Sequence, residues 1–299
     1  MLPEEFQSSQ HMADCVFTHV DGIMTTVEEL HIYPVKGCHG IALQSVKLVQ
    51  TGFEWDRHWM IVDATNAFIT QRTHPQIARI RPTLDDANLT LNAQGFTPCE
   101  VSLLPFGEPT EVIACADRCT VMDQGDQASE WLSDAVKDHV RLVRLIMPST
   151  RTANVEFVGR DPAPITFVDA YPLLICNRSS LNDLNQRMPE PIPMSRFRPN
   201  LVVAGLPAFA EDRIAAFRIG SATLRLVKPC THTIVSSTDQ ETGQRSTNPL
   251  PALRQFRFDK ALLGVTFGEN AVIAAGVGHS LERGARCASR LDEPANNPA

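Results

Sequence analysis

Four short stretches place charged or hydrogen-bonding side chains inside otherwise apolar sequence. They are YPVKGC with Lys36, EWDRHW with Arg57, RFRPNLVV with Arg198 and Asn200, and KPCTHTI with Cys230. Arginine offers planar paired donors to phosphate, lysine offers a point charge, and asparagine offers a donor and an acceptor to a heterocycle. A cysteine thiolate beside them can coordinate a soft or redox-active metal. If these side chains converge, they would suit an anionic, polar cofactor.

Each of these residues also has a purely structural interpretation. Lys36 could be a solvated turn lysine, and Arg57, which lies between two tryptophans, could stack on an indole or pair with Asp56. The arginines of RFRP could form weak surface ion pairs. Asn200 could satisfy a strand end, and Cys230 could be a packed thiol. His232 is read as a partly exposed strand residue and not as a metal ligand.

The elements that must hold these residues read mainly as strands. Apolar runs closed by turn residues include LHIYPVKG, HWMIVDATNAFIT and IARIRPTLDDANLTLNAQG in the first half. Similar runs return in the second half as PNLVVAG, FRIGSATLRLV, HTIVSST and GVTFGENAVIAAG. We therefore predict a mainly β, barrel-like fold with a few short helices.

Two segments have helical spacing. The first is 126–139, with Asp126 as the predicted N-cap and apolar residues on one face. The second is SSLNDLNQRM, with Ser179 or Ser180 as the cap. Both are expected to be minor parts of the fold.

The loop-rich segment 148–164 is the predicted domain boundary because it carries three prolines. The predicted divisions are a flexible extension at 1–26, a first domain at 27–150, a second domain at 151–287 and a flexible tail at 288–299.

Composition excludes several functional classes. The 299 residues carry a formal charge of −7, which disfavours binding to nucleic acid or to an anionic membrane surface. No apolar run approaches the roughly 20 residues of a membrane span, and no secretory signal is recognisable.

The eight cysteines are dispersed without a zinc-type CxxC pair, so reduced thiols and a cytoplasmic location are expected. Cys115 and Cys119 could meet, although incidental packing is the favoured interpretation. Walker A, GxSxG, GxGxxG and HExxH motifs are absent.

The order of the motifs resembles the MOSC (molybdenum cofactor sulfurase C-terminal) superfamily. The resemblance spans roughly 27–287 and is strongest to the two-part branch that contains the mitochondrial amidoxime-reducing component and its bacterial relatives. It rests on IYPVKGC, DRHWMIVD, DAYPLLI with SSLNDLN, FRPNLVV and PCTHTIVSSTDQETG, in that order. It implies an N-terminal β-barrel-like domain packed on a MOSC β-barrel, with a molybdopterin cofactor between them.

The resemblance also implies roles for individual residues. Lys36 and Arg57 would contact the phosphate-bearing end of the pterin, and Arg198 and Asn200 would bind it from the other domain. Thr231 stands where the family often has a cofactor-contacting serine. An iron–sulfur domain, which some bacterial relatives carry, is not expected in this chain, so electrons would come from a separate protein.

The chain departs from the family at the metal ligand. Related reductases typically read C-S-R-C, whose second cysteine binds molybdenum, whereas this chain reads Cys230-Thr231-His232-Thr233. Residues three apart in a strand lie about 10 Å apart on opposite faces, so Cys230 would replace the ligand only if the turn were rebuilt. Three interpretations stay open: Thr233 ligates as an alkoxide, metal binds through Cys230 or through no protein ligand, or the redox role is lost.

Two functional hypotheses follow. The first is a molybdenum-cofactor oxidoreductase that reduces small N-hydroxylated compounds with electrons from a separate donor protein, with Cys230 or Thr233 at the metal. The second is a non-redox protein that carries molybdopterin, or carries sulfur as a persulfide on Cys230. An exposed Cys230 of low pKa, helped by Lys228, would favour sulfur transfer.

Overall fold

The computed structural model describes residues 24–114, 117–159 and 163–292, and these residues form a mainly β protein, as predicted. The strands in the first half are β1 Thr25–Ile32, β2 Ile41–Leu43, β3 Ser45–Val49, β4 Gly52–Phe53, β5 Trp59–Asp63, β6 Arg81–Leu84, β7 Asn88–Asn92, β8 Cys99–Ser102, β9 Pro109–Ala114, β10 Asp117–Asp123 and β11 Val140–Leu145. Those in the second half are β12 Leu173–Asn177, β13 Leu201–Ala204, β14 Ile214–Ile219, β15 Ala222–His232, β16 Phe258–Asp259, β17 Gly264–Ala275, β18 Ser280–Glu282 and β19 Arg286–Leu291. The α-helices are α1 Asp126–Val136, α2 Val155–Val158, α3 Arg178–Gln186 and α4 Leu250–Phe256.

Seven strands close into a barrel. Their order is β12, β13, β1, β19, β14, β15 and β17, and β17 pairs back onto β12. Alternating apolar side chains of these strands point inward, and Leu30, Phe217 and Leu224 are fully or almost fully buried in the shared core. Closure leaves these strands without a free edge, which a single open sheet could not do.

Strand β1 belongs to this barrel and β2 to β4 pack beside it, although all four lie in the region predicted as the first domain. Strands β1 to β4, residues 25–53, pair or pack with strands from 173–291, so the contiguous division at 27–150 does not describe the packing. The cause is the apolar side chains of β1: Val27 and Leu30, which lie on either side of an irregularity in the strand, both bury against the barrel core. The described chain thus begins with a barrel strand, leaves the barrel core after Phe53 and returns to it at Leu173.

The predicted flexible tail starts too early, because residues 288–291 belong to β19, which runs to Leu291 and pairs with β14. The Asn- and Pro-rich composition that suggested a tail begins only after this strand. The N-terminal extension is a β-strand from Thr25 onward, and residues 1–23 lie outside the described residues.

The intervening segment builds a second β layer with α1. Strands β5, β11, β10 and β9 form one sheet, and β6, β7 and β8 form another with a turn between Leu84 and Asn88. Helix α1 closes the core through Ala128, Leu132 and Val136. Cys119 is buried in β10, whereas Cys115 lies outside the described residues. The prediction that these two cysteines pack incidentally therefore stays a prediction.

Both helices form near their predicted positions with different caps. Helix α1 follows Gly125 and ends where Lys137 takes a left-handed φ of 60°, so Asp126 is its first residue and not its cap. Helix α3 is capped by Asn177, whose side chain accepts a bond from the backbone N–H of Ser179. Among the described residues, no helix is long and apolar enough to cross a membrane.

Candidate functional site

A cavity of about 270 Å³ lies between the barrel and the N-terminal layer. It is lined by every residue predicted as a cofactor or metal contact. These residues are Lys36, Arg57, Arg198, Asn200, Cys230, Thr231 and Thr233. Since they come from distant parts of the chain, their convergence is a property of the fold.

Lys36 enters the cavity from the turn after β1. Its backbone N–H donates to the carbonyl of Trp59, which holds the turn against β5. Its ammonium donates to the carbonyl of Phe167 at 2.7 Å and forms an ion pair with Asp169. The Lys36 charge lowers the pKa of Asp169 to about 2, so this carboxylate is ionised at neutral pH. Lys36 is therefore not a solvated turn lysine.

Arg57 is held by a buried ion pair. Its guanidinium donates to both carboxylate oxygens of Asp56 at 2.8 and 2.6 Å, and Asp56 is 1% exposed. A left-handed φ of 51° turns Arg57 toward the cavity, and its backbone N–H donates to the Tyr33 carbonyl. Arg57 thus pairs with its neighbour and also lines the cavity.

Arg198 reaches the same place from the other side. It also has a left-handed φ, of 56°, after a short 3-10 helix at Met194–Arg196. The guanidinium carbons of Arg57 and Arg198 both lie 4.2 Å from the centre of the Tyr33 ring. Burial, with the positive charge of Arg57, lowers the pKa of Arg198 to about 10, and this cation is still protonated at neutral pH.

Asn200 positions Arg57 and the backbone. Its side-chain oxygen accepts from Arg57 at 3.1 Å and from the backbone N–H of Leu174 at 3.2 Å, while its amide donates to the carbonyl of His31. These bonds occupy much of the hydrogen-bonding capacity of the amide. The strand-end interpretation and the cavity interpretation of Asn200 are therefore both satisfied.

The end of β15 supplies the remaining residues. Across from Cys230, the pairing with β17 shifts from Pro229 with Glu269 to Thr231 with Thr266, which is a bulge on β17. The strand stops at His232, and the chain turns at Thr233 into a 3-10 helix. This turn lets Cys230 and Thr233 line one cavity.

The chemistry of this end is not that of a thiolate site. Burial, followed by the charges of Asp169 and Glu269, raises the pKa of Cys230 to about 12, so the thiol keeps its proton at neutral pH. The Thr233 hydroxyl accepts a long bond of 3.5 Å from the backbone N–H of Val235. His232 donates from Nε2 to the Phe267 carbonyl, and burial lowers its pKa to about 4. Within the described ranges, no three His, Cys, Asp or Glu residues cluster as a metal site.

Arg196 is a cavity residue that the sequence did not single out as a contact. It is 5% exposed and pairs with Asp239 and Ser246, which excludes the surface-pair interpretation. Its Nε and Nη1 groups are buried and lack an acceptor among the described residues. Such orphaned donors at a cavity call for a ligand or a water molecule. The signal was an arginine two residues before Arg198, but only the folded contacts reveal its burial.

The cavity as a whole is strongly cationic. Six lysine or arginine side chains line it, against one carboxylate, that of Asp169; the six are Lys36, Arg57, Arg72, Arg196, Arg198 and Lys228. Because the chain as a whole carries −7, this concentration of positive charge is local. The lining residues fit a polar group with a negative phosphate, and nothing described beside them supplies a thiolate at neutral pH.

These features define a two-part β protein whose parts share one cationic cavity. Residues 24–139 match the MOSC N-terminal beta barrel domain, and residues 162–284 match the MOSC domain. The chain belongs to the two-domain MOSC family. The predicted family and fold class are therefore confirmed.

Curated relatives fall into two groups. The chain is 31% identical over 247 residues to mitochondrial amidoxime-reducing component 1 of Homo sapiens, covering 78% of this chain and 72% of that protein. It is 30% identical over 244 residues to the Xenopus laevis protein of the same name, covering 77% and 71%. It is also 30% identical over 261 residues to the molybdenum cofactor sulfurase of Bos taurus, covering 80% of this chain but 30% of that protein.

Proposed function

We propose that this chain binds a molybdopterin-type molybdenum cofactor in the cationic cavity and acts as an oxidoreductase on small N-hydroxylated compounds. The observation that carries the proposal is the convergence of Lys36, Arg57, Arg198 and Thr231 on one cavity from both matched regions. The names of the amidoxime-reducing and cofactor-sulfurase relatives support the cofactor and the substrate class.

The residues of the cavity would hold such a cofactor in two ways. Arg57 and Arg198 present donors to its phosphate from two sides, and the ion pair with Asp56 and the Tyr33 ring fix their positions beforehand. Arg196 offers two N–H groups that have no other acceptor among the described residues. When bound, the cofactor would supply the two-electron chemistry that these side chains lack.

The overall reaction requires two electrons and two protons. The N–O bond of the substrate breaks, the nitrogen gains one of the two protons, and the oxygen takes the other and leaves as water. The electrons would come from a separate electron-transfer protein. A cytoplasmic location, with neither nucleic acid nor membrane as a partner, belongs to the same proposal.

Cofactor binding does not require a protein thiolate in this proposal. The raised pKa of Cys230 makes it a weak ligand unless a metal displaces its proton. Thr233 is a poorer ligand still, since its hydroxyl pKa is far higher than that of a thiol. We therefore favour metal binding without a protein ligand over an alkoxide from Thr233.

The alternative is a non-redox carrier of molybdopterin. The observation that favours it is Thr233 at the position of the family's ligand cysteine. The sulfur-carrier version is less supported, because Cys230 is partly buried and its raised pKa opposes the thiolate that persulfide chemistry needs.

The test is the molybdenum and pterin content of protein purified from a host that makes the cofactor. Wild type, Cys230→Ala, Thr233→Cys and Arg198→Met are compared, with the exposed Arg118→Met as the control. We expect near-stoichiometric pterin in wild type and about 10- to 100-fold weaker retention in Arg198→Met, from the loss of a charge-assisted bond. Equal pterin in Arg198→Met and wild type would reject the cavity as the cofactor site.

The metal content separates the remaining alternatives. Molybdenum that is lost in Cys230→Ala would identify Cys230 as the ligand. Pterin without metal in wild type, with molybdenum gained in Thr233→Cys, would favour the non-redox carrier. Reduction of benzamidoxime by loaded wild type with a chemical electron donor would support the oxidoreductase.

A further inference from the structure

One partly buried cation of the cavity differs from the buried ones in its partners. Lys228 lies in β15, partly buried, and lines the cavity together with Cys230. Its ammonium lies 4.7 Å from the centre of the Phe157 ring and 5.9 Å from that of Tyr171. The amide of Asn270, on the neighbouring strand, donates weakly to the carbonyl oxygens of Lys228 and Pro229 and supports this backbone.

Each of the other buried cations already has at least one acceptor from the protein, although Arg196 keeps two donors that are unpaired among the described residues. Lys36 pairs with Asp169, Arg57 with Asp56 and Arg196 with Asp239. Within the part of the chain that the structure describes, Lys228 has no carboxylate partner and no side-chain hydrogen bond, only the two rings. Aromatic faces hold a cation in place without neutralising it. A partly desolvated ammonium in this state is best completed by an anion from the ligand.

Its position assigns that anion to the substrate. Residues two apart in a strand point to the same face and lie about 7 Å apart, so Lys228 flanks Cys230 at the β15 end of the cavity. Lys36, Arg57 and Arg198 contribute to the cavity from other segments. The proposed reaction takes place at the Cys230 and Thr233 end, where the resemblance places the metal.

We propose that Lys228 is a specificity residue that binds a carboxylate on the substrate, so that the preferred substrates are anionic N-hydroxylated compounds. The N-hydroxylated part rests on the proposed function. The anionic part rests on Lys228 and its two aromatic neighbours, Phe157 and Tyr171.

The test uses two ligands that differ in one charge. These are 4-carboxybenzamidoxime and its methyl ester, titrated by calorimetry into cofactor-loaded wild type, Lys228→Met and Lys260→Met. Methionine keeps an unbranched apolar stem like that of lysine but lacks the ammonium, and Lys260 is an exposed lysine that does not line the cavity. We expect wild type and Lys260→Met to bind the carboxylate about tenfold more tightly than the ester. We expect Lys228→Met to lose most of this preference.

Three results would overturn the inference. They are equal affinities for the two ligands in wild type, an unchanged preference in Lys228→Met, and loss of the pterin in Lys228→Met, which would make Lys228 a cofactor contact. Calorimetry requires no electron transfer, so failure of turnover is a separate outcome. If loaded wild type binds the carboxylate through Lys228 but reduces neither ligand, the oxidoreductase proposal fails and the anion site stands.

Discussion

At the scale of residues, the site depends on a buried charge pair. Burial raises the pKa of Asp56, and the Arg57 guanidinium is the strongest influence that opposes this shift. Asp56 also accepts a bond from the backbone N–H of Tyr33 at 2.8 Å. The pair therefore joins the turn after β1 to the cavity wall, and loss of one partner leaves the other charge uncompensated.

This pairing predicts an asymmetry between single and double substitutions. Arg57→Ala should lower the free energy of unfolding by about 3–5 kcal/mol, because it strands the buried Asp56 carboxylate. The double variant Asp56→Asn with Arg57→Met should recover more than half of that loss, since it removes both charges and keeps an acceptor for Tyr33. Urea unfolding of the single and double variants measures the coupling. Equal losses in Arg57→Ala and in the double variant would show that the ion pair has no such role.

Sequence motifs predicted which residues meet, but not how each is used. The order of the motifs was sufficient to predict that Lys36, Arg57 and Arg198 would lie together, and the structure has all three at one cavity. The bonds from Asn200 to Leu174 and His31, by contrast, depend on the strand pairing of the barrel. Contacts between residues far apart in sequence carry no local pattern, and for this reason spacing alone could not assign their roles.

At the scale of elements, a bulge on β17 shapes the end of β15. Gly268 lies in this bulge with a left-handed φ of 71°. A Cβ atom there would lie 2.6 Å from the sulfur of Cys176 and 2.7 Å from the carbonyl oxygen of Ile175. Only glycine fits this backbone, so the path of β17 past Cys230 is fixed by one residue.

We expect Gly268→Ala to lower the free energy of unfolding by about 2–4 kcal/mol, from the left-handed backbone and the overlap with Cys176 and Ile175 together. The matched control is Gly220→Ala, which has a left-handed φ of 58° but no atom within 4 Å of its Cβ position. The control should lose only about 1–2 kcal/mol. Urea midpoints of the two variants decide the matter, and identical losses would remove the packing argument.

The helices illustrate what a single sequence could predict about elements. Apolar periodicity located α1 and α3, whereas both predicted caps were wrong by at least one residue. The cap of α3 is Asn177, which also donates to the carbonyl of Pro207 and to the buried Glu211. A residue with such tertiary partners ends β12 and starts α3 at once, and the sequence alone does not distinguish it from Ser179 and Ser180, whose residue type is an equally good cap.

At the scale of the whole molecule, the barrel is built from both ends of the described chain. Strand β1 lies between β13 and β19, so the first and last described strands are neighbours. A prediction of two domains that follow one another in sequence could not show that these strands are neighbours, because local sequence patterns identify strands but not their pairing. The cavity shared by the barrel and the inserted layer follows from this topology. The chain passes from the barrel core to the layer after Phe53 and back at Leu173, so the two parts are connected twice and are not successive, separate domains.

The same architecture buries an acid whose titration is coupled to global unfolding. Glu269 of β17 is 4% exposed, and burial, followed by the charges of Asp212 and Glu211, raises its pKa to about 9, although Arg257 opposes the shift. Between its ordinary pKa of 4.5 and about 9, the folded state keeps a proton that the unfolded state releases. The contribution of Glu269 to stability is therefore full below about pH 4.5 and falls as pH rises, by up to about 1.4 kcal/mol per pH unit.

Glu269→Gln should remove this dependence, because glutamine keeps the shape of the protonated acid and does not titrate. Relative to the variant, we expect wild type to lose stability steadily from pH 5 to pH 8 and the difference to level off above about pH 9. Urea unfolding of both proteins across this range measures the difference, and the exposed Glu130→Gln controls for the loss of one carboxylate. Parallel curves for wild type and Glu269→Gln would mean that Glu269 releases its proton in the folded state as readily as in the unfolded one.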